Sequence, residues 1–208
     1  MSMTSPSNPM SVDRRFVSRG GAKLEHALDA FSLDATGLEC ADFGCNVGGF
    51  TDCLLQRGAR RVHAIDTGYG ALAWTLRNDE RVVVMERTNA MHADPPAEGV
   101  DLVVVDLGWT PQRHAIPAAL RWLRRGADGA GRIVTLVKPH YEISQVQRRA
   151  MLRRGRLEPA DAERVVMTTL DALRRSGVNV NRCVQSPIAG DKAGNLEWLA
   201  LVEPRVAV

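Results

Sequence analysis

The sequence lacks the features that mark membrane and secreted proteins. No apolar run approaches the roughly 20 residues of a bilayer-spanning helix, and the longest, 101–107 and 133–137, have the length of buried strands. The first residues mix Ser, Pro, Asn and Thr without the charged start and apolar centre of a signal peptide. We therefore expect a cytoplasmic protein whose residues 1–16 form a loose tail.

Metal-site and disulfide patterns are also missing. The five histidines show no ligand spacing, and the cysteines form no CxxC pair. This pattern predicts no metal and reduced thiols packed in the core, at Cys40, Cys45, Cys53 and Cys183.

Lysine is scarce in a chain that is rich in arginine. Only three of the 27 basic residues are lysines, namely Lys23, Lys138 and Lys192. An ammonium group is compact and can lose a proton, which a guanidinium group in a protein does not do. A lysine in this background therefore hints at a functional amine, with chance retention as the alternative.

Short β-rich runs alternate with helical periods along the chain. Strands are expected at 39–43, 61–65, 82–85, 102–105, 132–137, 178–184 and 198–202, and helices at 19–31, 49–57, 71–77, 112–123, 143–153 and 161–176. Such alternation implies a parallel sheet with helices on both faces. The sequence predicts one Rossmann-like α/β domain over residues 17–208, with a seven-stranded, mostly parallel sheet.

A glycine-containing turn follows the first predicted strand, where such folds bind ligands. It lacks the GxGxxG spacing of a dinucleotide site, and its aspartate would repel phosphate but suit an ammonium group. This favours S-adenosylmethionine over NAD as the cofactor, with a plain β–α turn as the alternative. The candidate cofactor-binding residues here are Asp42, Gly44, Asn46, Gly48, Gly49 and Phe50.

Polar residues end the other predicted strands. Asp66 could accept hydrogen bonds from ribose hydroxyls or cap a helix, and Asn89 could bond the adenine edge or shape a turn. Asp106 and Lys138 also end strands, so we expect them to face one cleft. A structural ion pair is the alternative for these two.

Several motifs, in order, resemble the TlyA hemolysin-like family of FtsJ-type RNA ribose 2′-O-methyltransferases. They are VSRGGAKL at 17–24, GGFTDCLLQRGA at 48–59, DTGYG at 66–70, ERTN at 86–89 and KP at 138–139. The resemblance implies S-adenosylmethionine as cofactor, Asp106 among its contacts and ribosomal RNA as substrate. It also implies a catalytic tetrad formed by Lys23, Asp106, Lys138 and Glu197.

The mechanism that this resemblance implies is methyl transfer to a ribose 2′ oxygen. Lys138 would accept the hydroxyl proton, its pKa lowered by burial and a neighbouring cation. Asp106 and Glu197 would hold the amines, and Lys23 would orient the hydroxyl.

The chain departs from the family pattern in several places, one of them the glycine turn, where Cys45, Asn46 and Val47 stand in place of small residues. The family usually carries an N-terminal alpha-L RNA-binding domain, which this sequence is expected to lack. The segments after Asp106 and Lys138 also differ from the family, at 107–110 and 140–142. These loops face the substrate, so the RNA bound could differ, or the substrate could be something other than RNA.

Candidate RNA contacts surround the predicted cleft. Trp109 and Tyr141 could stack a base, while Arg19 and the arginines at 148–156, notably Arg148 and Arg149, could hold phosphates. Rim packing and a solvated helix face are the alternatives. Two other functions stay open, a methyltransferase acting on an amino or other non-RNA substrate and a non-catalytic cofactor- or RNA-binding protein. No pattern indicates the oligomeric state.

Overall fold

The computed structural model describes residues 15–124, 131–190 and 193–205. Its centre is a seven-stranded sheet in the order β3-β2-β1-β4-β5-β7-β6. The strands are β1 Glu39–Phe43, β2 Arg61–Ile65, β3 Val82–Met85, β4 Leu102–Val105, β5 Arg132–Val137, β6 Val178–Gln185 and β7 Trp198–Pro204. All neighbours pair in parallel except β7, which runs antiparallel to both β5 and β6. The predicted fold class is confirmed.

Helices cover both faces of this sheet. They are α1 Gly20–Phe31, α2 Gly49–Gln56, α3 Trp74–Arg77, α4 Gln112–Trp122, α5 Pro139–Glu142, α6 Gln145–Met151 and α7 Pro159–Arg175. The central strands β1 and β4 are buried along their whole length, as expected for strands with helices on both sides. No helix in the described ranges is long and apolar enough to cross a membrane.

Two apolar clusters, one on each face, hold the layers together. On one face α1 and α2 contribute Leu24, Leu28 and Leu54, all almost fully buried. On the other face Trp122 of α4 is fully buried, and its ring meets Phe43 of β1 edge to face with 5.4 Å between centroids. Burying these large side chains fixes β1 and β4 at the centre of the sheet.

The segment after β5 differs from the sequence-based prediction. A helix was expected over 143–153, but α6 begins only at Gln145, and the separate short helix α5 precedes it. The reason is a capping box, in which Ser144 Oγ accepts from Gln147 N at 3.3 Å and Gln147 Oε1 accepts from Ser144 N at 2.9 Å.

Two burial predictions are wrong. Cys183 is exposed on strand β6, whereas the other three cysteines are buried as free thiols. Phe16, assigned to the tail, is only 8 % exposed, because its ring packs where Gly21 has no side chain. Residues 1–14 of the predicted tail lie outside the described residues, as does Lys192.

Candidate functional site

The candidate site lies at the edge of the sheet where the parallel strands end. Because β7 is antiparallel to β5, its first residue, Trp198, pairs with Val137, the last residue of β5. Glu197 and Lys138 are the next residues beyond this pair, so the reversal of β7 brings Glu197 to the edge where β4 and β5 end. Lys23 reaches the same edge from α1, buried except for 8 % of its surface.

Two ion pairs join the four predicted catalytic residues. Lys23 Nζ lies 2.6 Å from Glu197 Oε2, and Lys138 Nζ pairs with Asp106 Oδ1. All four side chains line one cavity of about 820 Å³, called the central cavity below. Two ammonium groups thus face two carboxylates, and the cluster balances its own charge.

The pKa of Lys138 differs from the sequence-based expectation. Burial alone would lower the pKa of its ammonium group, but the carboxylates of Asp106 and Glu197 outweigh burial and raise it. The predicted lowered pKa is therefore wrong for the ligand-free protein, because the dominant neighbours of Lys138 are carboxylates. At neutral pH, Lys138 carries a proton.

A second cavity of about 520 Å³, called the amino-terminal cavity, adjoins the central one and shares Lys23, Gly44, Asn46 and Asp106 with it. Asp42 lines it and is fully buried. Its Oδ2 accepts a hydrogen bond from Thr51 Oγ1 at 2.7 Å, but its Oδ1 has no hydrogen-bond partner within the part of the chain described. Burial raises the pKa of Asp42 to about 7 despite the Thr51 hydrogen bond. This buried oxygen is suited to receive a cationic group.

The first turns of α1 and α2 meet at the amino-terminal cavity. A side chain on Gly49 would come within 2.9 Å of Gly21 N, so the two helix ends touch because Gly49 has none. Neither helix start has a side-chain cap, and Gly20, Gly49 and Arg19 line the cavity. Uncapped helix N-termini favour a negative group. An acceptor for a cation and donors for an anion therefore lie in one cavity, as an α-amino acid zwitterion requires.

The other predicted cofactor residues lie along the central cavity. Asp66 is not a helix cap: its Oδ2 accepts from Asn46 N at 2.9 Å and its Oδ1 from Gly68 N at 2.7 Å. Asn89 shapes a turn, since its Oδ1 accepts from Met91 N at 3.0 Å, and it also lines the cavity. Both readings of Asn89 are therefore compatible with its position.

The glycines of the turn after β1 differ in what they do. Gly44 has a φ of +85°, and Asp106 O lies 2.6 Å from the position that a Cβ atom on Gly44 would occupy. Gly48 lines neither cavity; its missing side chain leaves room for Leu72 and Leu76. Gly48 thus serves packing, and a direct contact of Gly48 with the cofactor stays a prediction. Phe50 lines the amino-terminal cavity and is 3 % exposed.

An aromatic rim borders the central cavity on the β4–β5 side. Trp109 is 71 % exposed, and its ring centroid lies 5.2 Å from that of Tyr141. Trp109 holds a φ of +66°, a strained conformation for an aromatic residue that is typically retained at functional sites. Arg148 Cζ lies 5.4 Å from the centroid of the Tyr141 ring, and the centroid of the His140 ring lies 4.1 Å from that of Tyr141. Sequence reasoning did not assign His140 to the site, although it lines the cavity.

The arginine-rich segment 148–156 lies beside this rim. No carboxylate of the described residues forms an ion pair with its five arginines, and Arg149, Arg153, Arg154 and Arg156 are exposed. Arg153 does donate to a backbone oxygen, Ala150 O, at 2.8 Å. Elsewhere on the surface, Arg124 pairs with Asp101 and Arg121 donates to Met91 O.

Asn195 attaches the arginine-rich segment to the site, a role that sequence reasoning missed. Its Oδ1 accepts from Leu157 N at 3.0 Å, and its Nδ2 donates to Gly155 O at 2.9 Å. Gly155 and Asn195 both line the central cavity. The available signal was position, since Asn195 is two residues from Glu197.

The strand order and the ligand edge define the class of protein as a Rossmann-like methyltransferase fold. A solved S-adenosylmethionine-dependent methyltransferase from Mesorhizobium loti superposes with a TM-score of 0.59 at 18% identity, covering 88% of this chain and 98% of that one. The particular family follows from the sequence: residues 16–193 match the FtsJ-like methyltransferase model, and the chain belongs to that family. Membership of this methyltransferase family confirms the predicted S-adenosylmethionine cofactor.

Two more similar proteins narrow the comparison. A solved Streptococcus thermophilus structure of the hemolysin type gives a TM-score of 0.85 at 35% identity, covering 95% of this chain and 70% of that one. The 16S/23S rRNA (cytidine-2′-O)-methyltransferase TlyA of Mycobacterium tuberculosis is 50% identical over 137 residues, which are 65% of this chain. The matched part spans half the length of that relative.

Proposed function

We propose that this protein transfers a methyl group from S-adenosylmethionine to a ribose 2′ oxygen of RNA. The observation that carries the proposal is the cluster of Lys23, Asp106, Lys138 and Glu197 in the lining of the central cavity. Lys23 and Asp106 line both cavities, and the exposed aromatic rim borders the central cavity that all four residues line. A substrate hydroxyl entering past the rim would reach the cluster and the cofactor together.

The cofactor would occupy the two adjoining cavities. Asp42 Oδ1 would accept a hydrogen bond from the ammonium group of its amino acid part, and the starts of α1 and α2 would receive the carboxylate. Asp66 would accept from ribose hydroxyls with the lone pairs that its two backbone bonds leave free, and Asn89 Nδ2 would face the adenine. The orphaned oxygen of Asp42 supports this fit, because a buried acceptor without a partner is costly.

When bound, S-adenosylmethionine supplies a methyl group activated on a sulfonium. The protein must make the ribose hydroxyl nucleophilic as the C–S bond breaks and the C–O bond forms. Lys138 Nζ would take the hydroxyl proton. Asp106 and Glu197 hold the two amines in place, and Lys23 would orient the oxygen.

The raised pKa of Lys138 adds a requirement to this mechanism. A protonated amine cannot accept a proton, so Lys138 must release one before transfer. Only the deprotonated fraction is competent, and that fraction grows with pH. The transfer rate should therefore rise with pH through the neutral range.

RNA as the substrate is supported by the rim and by similarity. Aromatic side chains stack on unpaired bases, and unpaired arginines bind phosphates. Trp109, Tyr141, Arg148 and Arg149 offer both kinds of contact on one side of the cavity. Arg19 lies in the amino-terminal cavity instead, so we reassign it from RNA to the cofactor carboxylate. The Mycobacterium relative, named for ribosomal RNA, makes ribosomal RNA the first substrate to test.

The test is methyl transfer from radiolabelled S-adenosylmethionine to total RNA and to ribosomal subunits from cells that lack this protein. The product nucleosides are then identified by mass spectrometry. The proposal predicts a 2′-O-methylated nucleoside with the wild type and none with Lys138→Ala, while calorimetry shows cofactor binding by both. A methylated base nitrogen, or cofactor binding without any RNA labelling, would contradict it.

A further inference from the structure

A buried polar network joins the start of α4 to the end of β5, next to the Asp106–Lys138 pair. Thr135 Oγ1 donates to Gln112 Oε1 at 2.6 Å, and Gln112 Nε2 donates to Leu136 O at 3.2 Å. Thr135 is fully buried and Gln112 is 3 % exposed. Both ends of the Gln112 amide are therefore satisfied inside the core, where leaving either one unpaired would be costly.

The network lies where the pairing of β4 with β5 ends. The last paired residues are Val105 and Thr135, directly before Asp106 and three residues before Lys138. Gln112 donates to Leu136 O just past this point. It thus continues the connection between the two segments that carry the ion pair.

Gln112 is also anchored on the other side of Lys138. Its backbone N–H donates to both carboxylate oxygens of Glu142, at 3.0 and 3.2 Å. Glu142 belongs to α5, which starts directly after Lys138. Gln112 therefore binds the chain before Lys138 through Thr135 and Leu136, and the chain after Lys138 through Glu142.

The same anchors fix the loop that carries Trp109. Directly before this loop, Asp106 N donates to Phe43 O at 2.9 Å and the Asp106 side chain pairs with Lys138. At its far end, Gln112 is held by β5 and α5. Loop 107–111 is thus fastened to the Lys138 turn at both ends, and the strained backbone of Trp109 lies between them.

We propose that Gln112 is a positioning residue that holds the Asp106 loop and the Lys138 turn in one geometry. This geometry lets the Lys138 amine reach the substrate oxygen while that oxygen lies in line with the methyl group. This inference rests on the proposed function. Gln112 touches neither cofactor nor substrate and acts through Thr135, Leu136 and Glu142. Misplacement of a reacting group by about 1 Å can cost on the order of a hundredfold in rate, so such an anchor matters for transfer.

The test removes one hydroxyl from the network. Thr135→Val keeps the shape of the side chain and deletes the hydrogen bond to Gln112, whereas Thr135→Ser keeps the hydroxyl. The matched control is Thr169→Val, which deletes the hydrogen bond from Thr169 Oγ1 to Val165 O inside α7, at a residue that lines neither cavity. Each variant is assayed for single-turnover methyl transfer to ribosomal subunits, for binding of S-adenosylhomocysteine and for amide hydrogen exchange.

We expect Thr135→Val to slow transfer at least about tenfold while the Kd of S-adenosylhomocysteine stays within about twofold, the pattern of a lost transition-state interaction. Hydrogen exchange should accelerate in 106–112 and 138–142 and stay unchanged in β1 to β3. Thr135→Ser and Thr169→Val should behave like the wild type.

Equal loss in Thr135→Val and Thr135→Ser, or exchange that accelerates uniformly across the sheet, would overturn the positioning role, because both indicate general destabilisation. If the wild type methylates no RNA, the proposed function fails separately. Hydrogen exchange then still decides whether the Gln112 network fixes the two segments: local acceleration supports it, and uniform or absent acceleration contradicts it.

Discussion

Asp42 and Asp66, on the β1–β2 half of the ligand edge, accept hydrogen bonds from a hydroxyl and from backbone amides and have no ion-pair partner among the described residues. On the β4–β7 half, Asp106 and Glu197 each pair with a lysine. The first half therefore holds negative charge that its own side chains do not neutralise, whereas the second half is neutral as a unit.

This difference separates binding from chemistry. A site that waits for a cationic ligand should keep an uncompensated carboxylate, and the raised pKa of Asp42 measures the cost of doing so. A site that must move a proton should carry its own cations in fixed positions. Substitutions in one half should thus change cofactor affinity, and those in the other half should change the transfer rate.

The largest effect is expected from removing the amine of Lys138. Lys138→Met should lower the single-turnover rate by at least about a thousandfold, within the range for lost general-base catalysis. The Kd of S-adenosylhomocysteine, measured by calorimetry, should stay within about twofold. A large loss of affinity would show that the two halves are not separate.

Asp42→Asn should change cofactor affinity, in contrast to Lys138→Met, which should change the transfer rate. Losing one charge-assisted hydrogen bond should weaken S-adenosylhomocysteine binding by about 10- to 100-fold. In the wild type, the native pKa of Asp42, about 7, exceeds its value in the unfolded chain, so the stability that Asp42 contributes is lost as pH rises from about 4 to 7. The ligand-free Asp42→Asn variant should therefore melt at a higher temperature than the wild type at pH 8. Unchanged affinity would remove Asp42 from the cofactor site.

The pH dependence of cofactor binding sharpens the same point. Below pH 7 the Asp42 carboxyl of the ligand-free protein is protonated and must release its proton to accept an ammonium group. The Kd of S-adenosylhomocysteine should therefore rise about tenfold for each pH unit below 7 in the wild type. In Asp42→Asn the same titration should give a flat profile, and a matching slope in both proteins would assign the titration to another group.

The smallest effect is expected outside both halves. Arg153→Glu combined with Arg154→Glu should weaken RNA binding by about fivefold or more in low salt and flatten its salt dependence by about two charges. Cofactor affinity and melting temperature should not change. Arg61→Glu combined with Arg121→Glu reverses two exposed arginines that line neither cavity and serves as the charge-matched comparison. An equal loss there would indicate a nonspecific charge effect.

The fold was predictable because its strands are buried on both faces. A continuous apolar run such as 102–105 indicates a buried strand even when the neighbouring strands are unknown, and the structure gives this strand the predicted bounds. Helix boundaries that are set by polar caps were harder to predict. The Ser144–Gln147 capping box that starts α6 is visible in the sequence, but the helical periodicity over 143–153 outweighed it.

For the site, the sequence predicted which residues end strands, and the resemblance implied that Asp106 and Glu197 hold the amines. Neither gave the correct direction in which the pKa of Lys138 shifts. That Asp106 and Lys138 share an edge follows from strand order alone. Burial and a neighbouring cation were expected to lower the pKa of Lys138, but in the structure the carboxylates of Asp106 and Glu197 outweigh burial and raise it. Gln112 gave no signal at all, because its role comes from contacts with Thr135 and Glu142, more than twenty residues away.

The pH dependence of single-turnover methyl transfer tests the central claim most directly, comparing wild type with Lys138→Arg on ribosomal subunits at saturating S-adenosylmethionine. If Lys138 accepts the hydroxyl proton, the wild-type rate should rise about tenfold per pH unit from pH 6 to 9. The arginine variant, which keeps the charge but cannot lose its proton, should be slow and nearly independent of pH. A variant that matches the wild type in rate and slope would contradict the assignment of Lys138 as the base.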